Sequence, residues 1–416
     1  MTFDYDPMSK NHWADPYPVY RELRETTPIH RSPASGVYTL SRYEDVAFAL
    51  RNAQLFSSSG MEKVLFNADE RRPSIGDLIS IARFMVRARV NPIRNQRPRN
   101  LITEDPPRHD EMRAIVNRGF TPRRMASLEP RMHEIVAACM EGFSRGEPFD
   151  VVHNLAIPLP VTVIAEMLGV EPERQLDFKR WSDALISASS GGTRDGGLKA
   201  ILDPMGELRG YLRGVVAARR ADPKDDLISV LLDSSHEGTL SENEIFGFIS
   251  LLLVAGNETT TNLIGNATLA LLAHPDELSK VQADQSLIPS MLEETLRWDA
   301  PVQLLFRETT EDVELPSGKI PARSPVAVLL GSANRDPDAY EDPDRFDVTR
   351  NPRAHLGFGL GVHFCLGASL ARLEAKVAME ALVPELPHTE FERSGLEFVD
   401  SFIVRGPRSL ELGRSA

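Results

Sequence analysis

The sequence predicts a mainly α-helical chain with small β-sheets, organised as one domain over residues 1–416. From Met125 to Ala273, apolar residues recur almost without a break at the spacing of a single helix face. Strand-like runs are short and, apart from one early hairpin, late: Pro301–Phe306, Val326–Gly331, Leu396–Val399 and Phe402–Val404. No internal repeat, low-complexity tract or composition break divides the chain.

A formal charge of −13 argues against nucleic acid as a partner. The two cysteines, Cys139 and Cys365, rule out a disulfide framework and suit a reducing compartment. The acidic, Pro-broken N-terminus resembles neither a signal peptide nor an anchor helix. A cytoplasmic monomer with no membrane or nucleic-acid partner is therefore expected.

In chain order, a Pro-opened helix over Asp15–Arg24 leads into a hairpin, Pro28–His30 with Gly36–Ser41, and a helix over Tyr43–Asn52. The long stretch Ser57–Asn100 is irregular except for an amphipathic piece, Ile75–Arg89. Its arginines at 83, 87, 89, 94, 97 and 99 read most simply as a solvated face. Asp105 and Pro106 suit the cap and first turn of a helix that puts His109 and Arg113 on one face. Helices then follow over Met125–Ser144, Pro158–Leu168, Glu171–Ser187, Met205–Arg220 and Leu227–Leu232. The Gly-rich connection between Ser187 and Pro204 has the composition a lid needs.

Ser241 and Glu244 form a capping box, with Leu240 and Ile245 as its staple. It opens the most hydrophobic helix, which runs on to Ala273 and whose unbroken apolar part is too short to cross a bilayer. Within it, Ala255-Gly256-Asn257-Glu258-Thr259-Thr260-Thr261 should weaken the helix, because threonine hydroxyls compete for backbone carbonyls. A further helix, Leu287–Trp298, puts Glu294 and Arg297 on one face.

The most informative stretch is Phe358–Arg372. Gly359, Gly361 and Gly367 bracket Cys365, and a helical pattern starts just after it, so the sulfur lies at a helix entry that favours a thiolate. Phe358, Gly361, His363, Cys365, Gly367 and Ala371 together resemble the cysteine-ligand loop of the cytochrome P-450 superfamily, the haem-thiolate monooxygenases. The resemblance spans essentially the whole chain, with four motif blocks in the family order.

It implies the haem-thiolate monooxygenase fold, with haem b bound through Cys365 of the loop 358–367 and a kinked dioxygen-binding helix over about 241–273. By the same resemblance His109, Arg113, Arg307 and His363 are propionate donors, Ala255 and Gly367 lie against the cofactor, and Glu258 with Thr259 relays protons. Glu294, Arg297 and Arg345 would form a buried structural network. Val254, Val302, Leu305 and Ile403 would line the substrate pocket.

The implied reaction inserts one oxygen atom of dioxygen into a C–H bond of an apolar fatty acid, steroid or terpenoid-like molecule. Electrons would come from a ferredoxin or flavodoxin with its reductase, docking near Arg118, Arg123, Arg124 and Arg372. The alternatives are a peroxide-driven haem-thiolate peroxygenase, against which the Glu258–Thr259 pair weighs, and a non-catalytic haem gas sensor.

Overall fold

The structure, a computed structural model, describes residues 4–60, 76, 81–84, 100–189, 199–233 and 240–414. Its helices are α1 (Tyr17–Thr26), α2 (Tyr43–Arg51), α3 (Arg108–Asn117), α4 (Pro122–Ser144), α5 (Pro158–Met167) and α6 (Gln175–Ser189). They continue with α7 (Lys199–Ala221), α8 (Leu227–Leu232), α9 (Glu242–Ala273), α10 (Pro275–Ala283), α11 (Ile288–Trp298) and, after a single turn at Leu330–Ala333, α12 (Ala368–Leu382). The strands are β1 (Ile29–Arg31), β2 (Tyr38–Leu40), β3 (Phe56–Ser57), β4 (Phe149–Asp150), β5 (Leu304–Thr309), β6 (Val313–Leu315), β7 (Gly318–Ile320), β8 (Pro325–Leu329), β9 (Thr389–Glu390) and β10 (Glu411–Arg414). The chain falls into two compact units, one of residues 1–64, 125–160 and 259–416, the other of residues 65–124 and 161–258.

The first unit holds a five-stranded sheet in the order β1-β2-β8-β5-β3, in which β2 and β8 run parallel and the other pairs antiparallel. Successive side chains of a strand point to opposite faces. Accordingly Val326 and Val328 join a core cluster with Leu40, Val46 and Phe56, while Ala327 and Leu329 join another with Tyr20, Leu23 and Phe306. Both faces of β8 are buried, which is why it reads as an unbroken apolar run.

β5 extends three residues beyond the predicted Phe306, because its antiparallel partner β8 offers ladder positions down to Pro325, opposite Glu308. Arg307 therefore lies inside the strand. The predicted C-terminal strands Leu396–Val399 and Phe402–Val404 reduce to isolated bridges, Phe398 with Pro407 and Val302 with Val404. Pro407 has no N–H to continue a ladder. The terminal three-stranded sheet is instead β4-β10-β9.

In the second unit, α7 buries Leu208, Leu212, Val215 and Val216 along one face. Near its end Arg219 meets Asp226, which also caps α8 by accepting the Ser229 N–H at 2.8 Å. α3 starts at Arg108, later than predicted: Pro107, not Asp105, takes the cap position, and no side chain caps it.

The capping box at the start of α9 is formed. Ser241 N–H donates to Glu244 Oε2 at 2.9 Å, and Glu244 N–H donates to Ser241 Oγ at 3.3 Å. Arg108 adds two bonds to Glu244 Oε1, at 3.0 and 2.6 Å, tying the start of α3 to the start of α9.

α9 then runs as an uninterrupted α-helix through the segment predicted to weaken it. The Thr261 hydroxyl donates to the Ala156 carbonyl on another segment, at 2.8 Å, and so does not compete inside its own helix. Thr268, further on, does bond back to Ile264 O at 2.8 Å. Among the described residues, no helix is long and apolar enough to cross a membrane.

Candidate functional site

The loop before α12 is shaped by its backbone. Gly359 and Gly361 have φ of +69° and +73°, in the left-handed region that glycine adopts without strain. A Cβ on Gly361 would lie 2.5 Å from the Leu50 carbonyl of α2, so the loop is packed against that helix end. The Cys365 N–H donates to Phe358 O at 2.9 Å, and the Cys365 carbonyl accepts from Ala368 N–H at 3.4 Å, at the first turn of α12. The predicted helix entry is thus in place, and Cys365 is half-buried.

The segment after β3 joins two predicted site residues of the first unit. Ser58 Oγ is 2.9 Å from His363 Nε2, and the Gly60 backbone packs on the backbone of Arg307 and Glu308. Ser58 is buried, yet nothing in Ser57-Ser58-Ser59 distinguishes it in the sequence. Arg307 is also buried and donates from Nη1 to Phe306 O at 2.8 Å. Val302, Leu305 and Ile403, also of this unit, are half-buried, and Gln303 N–H donates to Ile403 O at 2.7 Å.

Two neighbouring glutamates of α11 brace the same region. Glu294 and Arg297, both fully buried, form a bidentate pair at 2.7 and 2.8 Å. The predicted third member, Arg345, contributes only its backbone carbonyl, to Arg297 Nη2 at 3.0 Å. Its side chain is 59% exposed and faces Asp347. Arg350 takes the third place, donating from Nε to Glu294 Oε1 at 3.2 Å. Residues 345 and 350 flank a turn, and only the turn's path decides which guanidinium reaches the carboxylate.

Glu293, unmarked in the sequence, accepts Arg372 Nε and Nη2 at 2.6 and 2.8 Å and His355 Nε2 at 2.9 Å. Burial pushes its carboxyl up, but these hydrogen bonds outweigh burial and bring it down to about 2.

In the second unit His109 is fully buried on α3, with Nδ1 2.8 Å from Asp110 Oδ1. A carboxylate only accepts, so Nδ1 carries the proton in that contact. Arg113 is half-buried, one turn further along the same helix.

α9 carries an accessible stripe. Val254 and Glu258 are half-buried and Ala255 is exposed, while Leu252, Leu253 and Asn257 are buried. Thr259 continues the stripe and is half-buried, whereas every residue from Thr260 to Thr268 is buried. Residues 251, 254, 255, 258 and 259 share one helical face.

The expected docking arginines are largely committed elsewhere. Arg372 is held by Glu293, Arg124 lies 3.3 Å from Asp225, and Arg118 Nε donates to Ile115 O. Arg123 is exposed. Apart from Ile81, Ala82, exposed Arg83, half-buried Phe84 and Gly76, the Ile75–Arg89 piece lies outside the described residues, as do Arg94, Arg97, Arg99 and residues 190–198 of the expected lid.

A family model described as Cytochrome P450 matches residues 206–410. The vitamin D(3) 25-hydroxylase of Pseudonocardia autotrophica is 39% identical over 412 residues, covering 97% of this chain and 95% of that enzyme. The chain belongs to the cytochrome P450 family. Among solved structures, CYP109Q5 of Chondromyces apiculatus is 38% identical with a TM-score of 0.85, over 100% of this chain and 99% of that one. CYP109E1 of Bacillus megaterium, solved in complex with corticosterone, is 35% identical with a TM-score of 0.82, over 97% and 99%.

The protein is accordingly a P450 monooxygenase with the mainly α fold of that family, and its prosthetic group is haem b. Family membership also implies dioxygen, an organic substrate and a redox partner.

The P450 loop fits haem by its donor chemistry. Cys365 offers a sulfur at a helix entry. Among the described residues, a Cβ on Gly367 would meet no heavy atom within 4 Å, so they leave that side of the loop open. Buried Arg307, of the same unit as the loop, is a cation suited to an anionic carboxylate of the cofactor.

Proposed function

We propose that this P450 inserts one oxygen atom of dioxygen into a C–H bond of a rigid apolar molecule of steroid or terpenoid type, with electrons from a separate ferredoxin or flavodoxin. In this reading Cys365 would hold the haem iron through its thiolate, and His109, Arg113, Arg307 and His363 would bind the propionates. Haem, when bound, supplies the activation of dioxygen. Ala255 and Gly367, with little or no side chain, would leave room for it. Glu258 and Thr259 hold and pass protons, an acid–alcohol pair in a general acid role. Val254, Val302, Leu305 and Ile403 place the C–H bond by apolar contact and exclude water.

The observation that carries this reading is the accessible stripe on α9, where an acid and an alcohol stand beside Val254 and Ala255, directly before the buried run Thr260–Thr268. The steroid class draws support from the relatives, one named for vitamin D(3) and one solved with corticosterone.

Turnover with corticosterone, reductant and dioxygen tests both parts. The parent enzyme should bind the steroid with a shift in haem absorbance and oxygenate it. Thr259→Ala should consume reductant but form about 10²- to 10⁴-fold less product, releasing hydrogen peroxide. Unchanged product per electron in the variant would refute the relay. A parent that neither binds nor oxygenates corticosterone would refute the substrate class.

A further inference from the structure

The Glu293 cluster lies next to the Cys365 loop and has no part in the reading above beyond its position. Its geometry leads from a carboxylate to the sulfur-bearing turn in three contacts. Glu293 holds Arg372 through two short bonds, and the Arg372 guanidinium lies over the Phe358 ring, 4.4 Å from its centroid. The Phe358 carbonyl in turn accepts the Cys365 N–H at 2.9 Å.

The second arm is His355. Its Nδ1 accepts the Gly357 N–H at 3.1 Å, so Nε2 carries the proton and donates to Glu293. His355 is buried, and Glu293 is largely so. One carboxylate therefore fixes both the start of the loop, through His355 and Gly357, and the N-terminal part of the helix that follows it, through Arg372.

We propose that Glu293 is a positioning residue for the haem-thiolate loop. It holds Arg372 over Phe358 with its charge compensated, so that the loop carrying Cys365 is fixed and the cation's field on the sulfur is balanced. The proposal rests on Cys365 being the haem ligand. It differs from the Glu294–Arg297–Arg350 network in what it governs: that network ties α11 to the turn at 343–350, whereas Glu293 bears on the loop and α12.

The reduction potential of the haem-loaded enzyme separates this role from plain structural support. The ferrous state carries one more electron than the ferric. Glu293→Gln leaves the Arg372 cation uncompensated and should favour the ferrous state, raising the potential. Arg372→Ala leaves the Glu293 carboxylate uncompensated and should lower it.

Each single variant should change the ferrous-to-ferric ratio about threefold, roughly 28 mV at about 59 mV per tenfold for one electron. The double variant should lie closer to the parent than either single one. Potentials are read on the fraction that gives the red-shifted ferrous carbonyl band, so partial loss of haem does not enter.

If Glu293→Gln does not load haem, Glu293→Asp takes its place: it keeps the charge and should stay near the parent value while Arg372→Ala falls. Shifts of the same sign in the two single variants, or none in either, overturn the proposal. A parent enzyme without the red-shifted band overturns the ligand assignment and this proposal with it.

Discussion

Two regions that meet along α12 treat polar side chains in opposite ways. Around the Cys365 loop they are paired through charge-assisted contacts: Glu293 with Arg372 and His355, Glu294 with Arg297 and Arg350. On the other side, where α12 meets the second half of α9, Glu374 is fully buried and, among the described residues, has the Thr260 hydroxyl as its hydrogen-bond partner. Burial there pushes the carboxyl up to about 8, the Thr260 bond offsetting a small part, while Glu293 falls to about 2. Adjacent cations turn a carboxylate into a clamp, whereas a hydroxyl among apolar helices leaves it a neutral acid. The charged region suits holding a loop in one geometry, and the neutral one suits close helix packing.

The comparison can be tested in three places, the largest effect first. Cys365→Ala should abolish the red-shifted ferrous carbonyl band. Cys139→Ala, on α4, should keep it, since burial pushes that thiol's pKa up and leaves it inert. Identical spectra would show that the clamped region does not hold the ligand.

Next comes the clamp itself. Glu294→Ala strands the fully buried Arg297 and should cost about 3–5 kcal/mol in denaturant unfolding. Arg345→Ala, at an exposed side chain, should stay within about 0.5 kcal/mol. Arg350→Ala should fall between, at about 1–3 kcal/mol, as one charged partner of a buried group is lost. Equal losses at 345 and 350 would mean that the turn presents both arginines to Glu294.

The smallest effect, read per pH unit, belongs to Glu374. Its folded-state pKa is above the usual carboxyl value of 4.5, so between about pH 4.5 and 8 the folded state binds more protons than the unfolded one. Stability from this group is therefore present below that window and is lost as pH rises through it, by at most about 1.4 kcal/mol per pH unit. Glu374→Gln, neutral at every pH, should flatten the stability profile across that window. A variant profile parallel to the parent's would place the titration elsewhere.

Much of the site was legible because its signals are local. A glycine-bracketed cysteine before a helical pattern, a capping box and an i,i+3 ion pair each need only a few neighbouring residues, and all three are present as read. The misreadings were at longer range or turned on alternatives of equal local merit. Arg345 and Arg350 sit in the same turn, and Glu293 and Glu294 are adjacent on one helix. Ser58 is one of three consecutive serines. Choosing within each set needs the partner's position, which no local pattern encodes.

By itself the sequence determined the helical character of the chain, the start of α9, the turn that carries Cys365 and the family to which the chain belongs. Periodicity, capping and glycine conformation act over one or two turns of chain, so they are written in neighbouring residues. Tertiary structure alone decided that Arg350 replaces Arg345, that Arg372 is bound by Glu293, and that α9 opens a narrow stripe before Thr260. It also decided that one glutamate beside α12 is ionised and another is neutral. A carboxylate's charge depends on which cations and how much water surround it, and those neighbours come from segments far apart in the chain.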